Sequence, residues 1–317
     1  MKLVLFLSVL VLSWNVASAY PKFEGDKLYK DGRQVSMKRV IQDVKPGTVI
    51  ILSELHTWQS HHDHQLEFLN TMRAKRPDLK INVGMEFFEY SKQNIVDDYL
   101  NLKMDEVDFL KQIGWGENDY NQYRPLVTFP QVSLGETTLA LNASRKLSSK
   151  IAKNGWDSLN DKDRNMLPPN FSLGRDIYYE RFKESMSHGH KLPEELVLNY
   201  FGAQSLWDDT MAWTTVEFMK EHPEDILVII VGDFHNIFGG GLPHRIKARG
   251  HENVLTISQL AIDGLTEQEL YDEAVNHPKW GARADYVWTS YDGLDKEEAQ
   301  AMNFGQNLYS LDALFVN

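Results

Sequence analysis

Residues 48–56 read TVIILSELH, and this stretch decides the fold class more directly than any other part of the chain. It is a short run of mostly β-branched, apolar residues that ends in polar ones, which is typical of a strand buried on both faces. The segment 61–73 then places Leu66, Leu69 and Met72 at helical spacing. We therefore predict a buried strand followed directly by a helix.

Similar apolar runs recur along the chain, at 79–83, 138–141, 226–231, 253–257 and 285–290. A long helical pattern, 200–220, lies among them. Alternation of strands and helices predicts an α/β fold, with a mainly parallel central sheet flanked by helices. We expect a single domain over 20–317, with a helical insertion or cap subdomain over roughly 95–220 that is interrupted by a strand near 138–142.

The first 19 residues have the features of an export signal. Lys2 supplies the positive start, 3–12 is an apolar run broken only by Ser8, and Ala17-Ser18-Ala19 is a small-x-small cleavage pattern. The apolar run is too short for a permanent membrane anchor. The chain also has no cysteine to carry a lipid or form a disulfide. We predict an exported protein, periplasmic or secreted, that begins at Tyr20 and has no stable membrane anchor.

The net charge limits the classes of partner. There are 33 Lys and Arg against 45 Asp and Glu, which gives a formal charge of −12. A nucleic-acid-binding protein needs a basic face to displace counterions, so this composition argues against one. It argues equally against general adsorption to anionic lipid.

Polar residues follow several of the predicted strands at the point where each strand ends. In open α/β sheets, ligands collect outside the carboxyl ends of the strands. We therefore expect one shared cofactor or metal site built from these strand ends, which carry Glu54 and His56, Glu86 and Glu89, Asn142, and Asp233 and His235.

The first of these ends carries Glu54 and His56, which point to the same side of an extended strand. Sets of Glu and His suit Zn, Mn, Fe or Co. On the helix that follows, His61 and His64 share a face. We expect His62 and His64 to be a solvated helix start. For His61 the sequence does not choose between a residue of the site and a solvated surface residue.

The second end carries Glu86 in the apolar setting GMEFFE. Burial would raise the pKa of this carboxyl unless it met a cation or a metal ion. Glu86 is therefore a candidate metal ligand or general base. A structural salt bridge to an arginine is the alternative.

The third end, 232–245, reads GDFHNIFGGGLPHR. Its glycines allow close approach of the backbone to a ligand, and Arg245 is placed to meet a carboxylate or phosphate. On the long predicted helix, Gln204 and Asp208 share a face and are candidates for a supporting role. The aromatic segment 115–126, which we predict to be a loop, holds Tyr120 and Tyr123 as phenolate iron ligands or ordinary packing residues.

In this order the segments resemble the ChaN-like haem-binding uptake proteins of the Tiki superfamily, over roughly residues 45–250. No single motif is decisive, and the resemblance lies in their order and spacing. The matching pieces are Glu54-x-His56 with His61, Gly84-Met85-Glu86, Tyr123-x-Pro125-Leu126, Ala140-Leu141-Asn142 with Arg145, Gln204-x-x-Trp207-Asp208-x-x-Met211-Ala212, and Gly232-x-x-His235 with Gly241-x-Pro243-x-Arg245.

The resemblance implies an α/β core with a helical subdomain, export, and haem or iron handling. By analogy with the superfamily's proteases, it implies a metal site with His56 and His235 as the paired histidines and Glu54 and Glu86 as the carboxylates. In haem-binding relatives a tyrosine ligates the iron, often across a dimer. Tyr120 and Tyr123 are thus candidates, and a homodimer is one expected arrangement. Ser53 stands where the first motif usually has Gly.

Two functions follow from these residues. The first is an exported haem- or iron-binding protein with a role in iron or haem acquisition, with Tyr120, Tyr123, Asn142, Gln204, Asp208 and Arg245 as cofactor-binding candidates. The alternative is a metal-dependent hydrolase, a peptidase or esterase, in which the metal site activates water and Glu54 or His61 is the general base. A structural or interaction module, the third possibility, predicts that removing His56 and His235 changes no ligand or activity.

Overall fold

A computed structural model of the protein describes residues 20–116, 118–187 and 192–294. The predicted export signal, 1–19, and the polar C-terminal stretch after 294 lie outside these residues.

The described strands form one eight-stranded sheet in the order β2-β1-β8-β7-β3-β6-β4-β5. From β8 to β5 every neighbouring pair is parallel, whereas β1 is antiparallel to both of its neighbours. The predicted α/β class with a mainly parallel sheet is therefore confirmed. The strands are β1 (Lys27–Lys30), β2 (Arg33–Val35), β3 (Val49–Glu54), β4 (Ile81–Glu89), β5 (Thr138–Asn142), β6 (Ile226–Gly232), β7 (Val254–Ala261) and β8 (Tyr286–Ser290).

The hairpin of β1 and β2 was not predicted from the sequence. Both strands are short, β2 is the edge strand of the sheet, and only the two central residues of β1 are buried, so the hairpin lacks the apolar run that marks the central strands. The turn between them is Asp31-Gly32, and both residues have positive φ, at 50° and 71°. An Asp-Gly pair supplies this turn at little steric cost.

Helices connect most of the strands. They are α1 (Met37–Asp43), α2 (Gln59–Lys75), α3 (Gln93–Leu100), α4 (Glu106–Ile113), α5 (Tyr120–Val127), α6 (Arg145–Asn154), α7 (Asp161–Arg164), α8 (Asp176–Ser187), α9 (Glu194–Glu221), α10 (Asp233–Asn236), α11 (Gly241–Ala248) and α12 (Glu267–Ala274). None of the described helices is long and apolar enough to cross a membrane.

The prediction of a loop over 115–126 was wrong for its second half, which forms α5. The carboxylate of Asp119 caps this helix by accepting a hydrogen bond from the Asn121 N–H at 3.0 Å. Tyr120, Tyr123 and Val127 are buried on one face. The aromatic residues that suggested a loop therefore form the packing surface of a short helix, and Pro125 lies within that helix.

Alternate residues of the central strands pack against helices on opposite faces of the sheet. On one face, Ile50 and Leu52 of β3 belong to a core with residues of α1–α5. On the other, Val49 and Ile51 pack with residues of α6, α8, α9 and α11. The helices between 95 and 220 are thus divided between the two faces, with β5 between them.

Candidate functional site

The carboxyl ends of β3, β6 and β4 lie side by side and bring the predicted residues together. Glu54, the last residue of β3, is paired in register with Gly232, the last residue of β6. Glu86 lies in the last part of β4, which is the other neighbour of β6. α10 begins immediately after β6 and carries His235, while the long helix α9 supplies Asp208.

Five of these side chains form an alternating line of carboxylates and imidazoles, which we call the Glu–His row: Glu54, His56, Glu86, His235 and Asp208. His56 Nδ1 donates to Glu54 Oε1 at 2.9 Å. His235 lies between two carboxylates, with Nε2 3.2 Å from Glu86 Oε1 and Nδ1 2.6 Å from Asp208 Oδ1. His56 Nε2 lies 3.9 Å from Glu86 Oε2, which is too long for a hydrogen bond.

The charges within the row stabilise one another. Burial by itself would raise the pKa of Glu86, but His235 and the other groups that face this carboxylate lower the pKa to about 2. Burial would lower the pKa of His235, but Glu86 and Asp208 raise that pKa to about 10. The central pair is therefore a carboxylate and an imidazolium over the whole physiological pH range.

Glu54 is fully buried and held from several directions. Tyr123 Oη donates to its Oε1 at 2.7 Å, and Gln65 Nε2 donates to Oε2 at 2.8 Å. His62 Nδ1 lies 3.4 Å from Oε2. Burial alone would raise the pKa of Glu54, but the nearby His62 and His56 lower it. Glu54 is therefore an ionised anchor for the His56 imidazole.

His56 is the member of the row that faces solvent most, with 20% of its side chain exposed. Its Nε2 lies beside Gly232, where a Cβ would be 2.8 Å away. Only glycine leaves room for the imidazole here. The ring of Phe87 lies 4.9 Å from the His56 ring, and the ring of Trp115 lies 5.4 Å from that of Phe87. His56 is thus the more exposed of the two imidazoles of the row.

Asp208 depends on an equally close approach of backbone. A Cβ on Gly241 would lie only 1.8 Å from Asp208 Oδ2, so this carboxylate occupies the space that a side chain would fill. Tyr178 Oη donates to the same oxygen at 2.8 Å. The Gln204 amide donates to Tyr178 Oη and lies 3.1 Å from His235 Nδ1. Gln204 and Asp208 therefore both lie against His235, as their shared helix face suggested.

The histidines after β3 are not the solvated helix start that we predicted. His62 and His64 are 3% and 6% exposed, because the first turn of α2 packs against Glu54 and against β7–β8. His61 is fully buried, accepts a hydrogen bond from the Leu55 N–H at 3.0 Å, and lies 3.4 Å from Ser290 Oγ. Burial and nearby His64 place its pKa well below the ordinary value. His61 is therefore a neutral residue that fixes the backbone next to His56.

The remaining cofactor-binding candidates are two tyrosines, an asparagine and an arginine, and they differ in whether they contact the row. Tyr123 and Tyr120 are 0% and 5% exposed, and burial raises the pKa of both phenols. Asn142 caps its own turn by accepting a hydrogen bond from the Ala143 N–H at 2.8 Å. Arg245 is buried in α11 and contacts Asp209 and the Ser172 carbonyl, not the row.

The row does not have the arrangement of a metal centre. Among the residues that the structure describes, no group of three or more His, Asp or Glu side chains is placed to hold a metal ion. The candidates Glu54, His56, Glu86 and His235 instead satisfy one another as ion pairs and hydrogen bonds. A bound ion would have to displace some of these contacts.

Several residues of the site were missed in the sequence. Gln65 and His62 reach Glu54 from α2, and Tyr178 reaches Asp208 from α8. Gln65 follows His61 by four residues on the same helix face, which was an available signal. Tyr178 had no local signal, since the contact depends on how α8 packs on α9.

Comparisons with known proteins identify a family and similar folds. A family model described as haem-binding uptake, Tiki superfamily, ChaN matches residues 40–246. A solved structure described as cofacial heme binding to ChaN of Campylobacter jejuni is similar in fold, with a TM-score of 0.61 at 17% identity, covering 82% of this chain and 95% of that one.

Two further solved structures are more distant. A mutant of the erythromycin esterase EreC in its open conformation aligns with a TM-score of 0.44 at 9% identity, covering 78% of this chain and 92% of that one. A Bacillus cereus protein aligns with a TM-score of 0.39 at 8% identity, covering 73% of this chain and 70% of that one. No curated protein matches the sequence.

Proposed function

The chain belongs to the ChaN family of haem-binding uptake proteins in the Tiki superfamily, and from this premise we propose that it binds haem and takes part in iron or haem acquisition. The family match over 40–246 is the observation that carries the proposal. Iron within a porphyrin needs at least one axial ligand from the protein and an apolar surface beside the ring.

Among the residues of the row, His56 is the one that would best hold a haem iron. Its Nδ1–H is held by Glu54, which leaves Nε2 as the free ligand atom. Ligating histidines commonly donate their second N–H to a carboxylate in this way. Phe87 and Trp115 supply the adjacent aromatic surface. Tyr123 and Tyr120, our first candidates, would have to leave the core and lose a proton to reach iron.

The test is a hemin titration of the purified protein, followed at the Soret band. We expect a saturable shift that is lost in His56→Ala and restored in part by added imidazole. Tyr123→Phe should retain the shift. His222→Ala is the matched control, since His222 ends α9 just before the opposite, amino end of β6. Absence of any saturable shift in the wild-type protein would refute the proposal.

Export and a dimer belong to the same proposal. N-terminal sequencing of protein recovered outside the cytoplasm should begin at Tyr20. Protein found only in the cytoplasm, with Met1 as its first residue, would contradict export. Light scattering with and without hemin measures the mass. A dimer that forms only with hemin would indicate that two copies enclose the cofactor, and a monomer in both states would remove the dimer from the proposal.

Hydrolysis is the second candidate, and the contact of Glu54 with His56 is the observation that favours it. With Nδ1–H held by Glu54, His56 Nε2 can take a proton from a water molecule. Glu86 lies 3.9 Å from this atom and is fixed by the Gly232 N–H at 2.6 Å. A water between the two groups would be oriented and deprotonated there. The metal-dependent version would require His56, Glu86 and His235 to give up their present contacts in order to hold an ion, which would supply a Lewis acid for this water.

A hydrolase is tested by screening p-nitrophenyl esters and peptides, together with metal analysis by mass spectrometry. General-base catalysis predicts that His56→Ala lowers kcat by about 10²–10⁴-fold. A stoichiometric ion that is lost in His235→Asn would establish the metal-dependent version. Activity that survives chelation but not His56→Ala would establish a metal-free one. Activity equal in wild type and His56→Ala would remove this candidate.

A further inference from the structure

A cavity of about 580 Å³, which no residue of the Glu–His row lines, lies between α9, α11 and the segment 169–175. This volume is within the range of small-molecule sites. The side chains that line it include four Lys and Arg residues but only two carboxylates. This local excess of positive charge occurs in a chain with a formal charge of −12.

The ion pairs at this cavity leave two cations without full compensation. Lys220 is paired with Glu217, and Arg249 donates to both oxygens of Asp209. Arg245 therefore shares Asp209 with Arg249, and its Nη1 lies 3.2 Å from Asp209 Oδ1. Arg175 donates to the Gly239 carbonyl at 2.7 Å, and no ion pair among the described residues includes this arginine.

Arg245 has an unused donor. The side chain is 5% exposed, and Nη1 donates to the Ser172 carbonyl at 2.9 Å. Its Nη2 has no hydrogen-bond partner among the residues that the structure describes. A buried charged donor without a partner is costly, and Arg245 is one of the residues that line the cavity. The neighbouring His244 also experiences this positive charge, because burial and the charges of Arg175 and Arg245 lower its pKa.

One wall of the cavity is apolar. Trp213 and Val216 of α9 line it, and Leu173 contributes a side chain that is 46% exposed. A cavity lined by both guanidinium groups and an indole suits a ligand that joins a carboxylate to a flat apolar ring, since arginine binds carboxylates through paired N–H donors. A bare inorganic anion would leave the apolar wall unused.

We propose that this cavity binds an organic carboxylate with an apolar aromatic ring, with Arg245 and Arg175 on the carboxylate and Trp213 against the ring. The proposal does not require iron or His56. A haem propionate is one carboxylate of this class, and any smaller aromatic acid is another. The site is therefore separate from the Glu–His row and goes beyond haem binding.

The test is isothermal titration calorimetry of the protein with 2-naphthoate, and with 2-naphthamide as the uncharged ring of the same shape. We expect saturable binding of naphthoate that is at least tenfold stronger than binding of naphthamide or inorganic phosphate. Arg245→Met and the exposed Arg175→Gln should each weaken naphthoate binding about tenfold. Lys247→Gln removes the same charge from an exposed position of α11 outside the cavity and should have no effect.

The outcomes separate this proposal from haem binding. Naphthoate that binds normally to His56→Ala, which has lost the hemin shift, supports both. Naphthoate binding without any hemin shift in the wild type supports the cavity alone. The cavity proposal is overturned if wild-type protein binds no naphthoate, if phosphate binds as tightly, or if Arg175→Gln, with an unchanged melting temperature, binds naphthoate as the wild type does.

Discussion

Two glycines shape the Glu–His row because imidazole and carboxylate occupy the positions of their missing side chains. Gly232 ends β6 beside His56, and Gly241 begins α11 against Asp208. Neither residue has the positive φ that usually explains a glycine. Glycine is required at both positions because a Cβ would collide with the neighbouring side chain. At these two points the charged groups therefore pack directly against the backbone.

Replacing Gly241 with alanine should disturb the row through Asp208. The new Cβ would lie 1.8 Å from Oδ2 and 2.2 Å from Cγ, so the carboxylate must move away from His235. We expect a loss of about 1–3 kcal/mol in unfolding free energy, as for other overpacked sites. Urea denaturation measures it. Gly116→Ala is the control, because its nearest neighbour would be Arg145 Nη1 at 3.7 Å. Equal stability of the two variants would contradict this account.

Asp208 also determines the protonation of His235. Burial disfavours the imidazolium, and the two carboxylates on either side of it, Glu86 and Asp208, raise the pKa to about 10. Asp208→Asn keeps the shape of the side chain and removes one charge. We expect the pKa of His235 to fall by about 1–3 units, followed by ¹⁵N-detected NMR titration. A pKa that stays near 10 would assign the whole shift to Glu86.

At the scale of elements, Arg283 joins the turn after β6 to the rest of the sheet. Its fully buried guanidinium pairs with Asp233 of α10 and donates to Glu273 of α12 at 2.6 Å and to Ser258 of β7 at 2.8 Å. Ser53 of β3 donates to Asp233 at 2.6 Å. Ser53 is thus part of the network that holds the segment bearing His235.

Removing this link should be far more costly than removing a surface arginine. In Arg283→Met, Asp233 and Glu273 remain buried without their cation, which typically costs about 3–5 kcal/mol. Arg33→Met removes an exposed arginine from β2 and should change unfolding free energy by less than about 0.5 kcal/mol. Urea denaturation compares the two. A loss below about 1 kcal/mol in Arg283→Met would show that water or backbone groups replace the guanidinium.

For the whole molecule, the row predicts how stability depends on pH in ligand-free buffer. The folded pKa of His235 is raised to about 10 from an unfolded value near 6.5, so its contribution is complete below about pH 6.5 and declines as the pH rises towards 10. Glu86, lowered to about 2 from an unfolded value of about 4.3, contributes fully above about pH 4.3 and loses its contribution as the pH falls through 2.

The contributions of His235 and Glu86 are therefore both complete between about pH 4.5 and 6.5, and we expect the contribution of His235 to be lost between about pH 6.5 and 10. Urea denaturation at pH 5.5 and pH 9 measures the alkaline decline. His235→Asn should be less stable at pH 5.5 and should show a flatter profile towards pH 9. An alkaline decline as steep in His235→Asn as in the wild type would assign it to other groups.

The sequence alone determined the class of the fold, the positions of the central strands, and the strand ends that carry Glu54, Glu86 and His235. These features depend on local apolar runs and on the rule that parallel strands present their carboxyl ends at one edge. The polar hairpin β1–β2 and the helix α5 were missed, because an edge strand lacks an apolar run and the aromatic packing of α5 resembles a loop.

Only the tertiary structure decided how the charges are paired. The distances that join His235 to Asp208, Arg283 to Asp233, and Gln65 to Glu54 depend on how α9, α2 and the sheet pack together, and no local pattern encodes them. Packing likewise buried His62 and His64, whose spacing suggested a solvated turn. Ion pairs form wherever burial makes an isolated charge costly, so the partner of a buried charge is known only when the chain is folded.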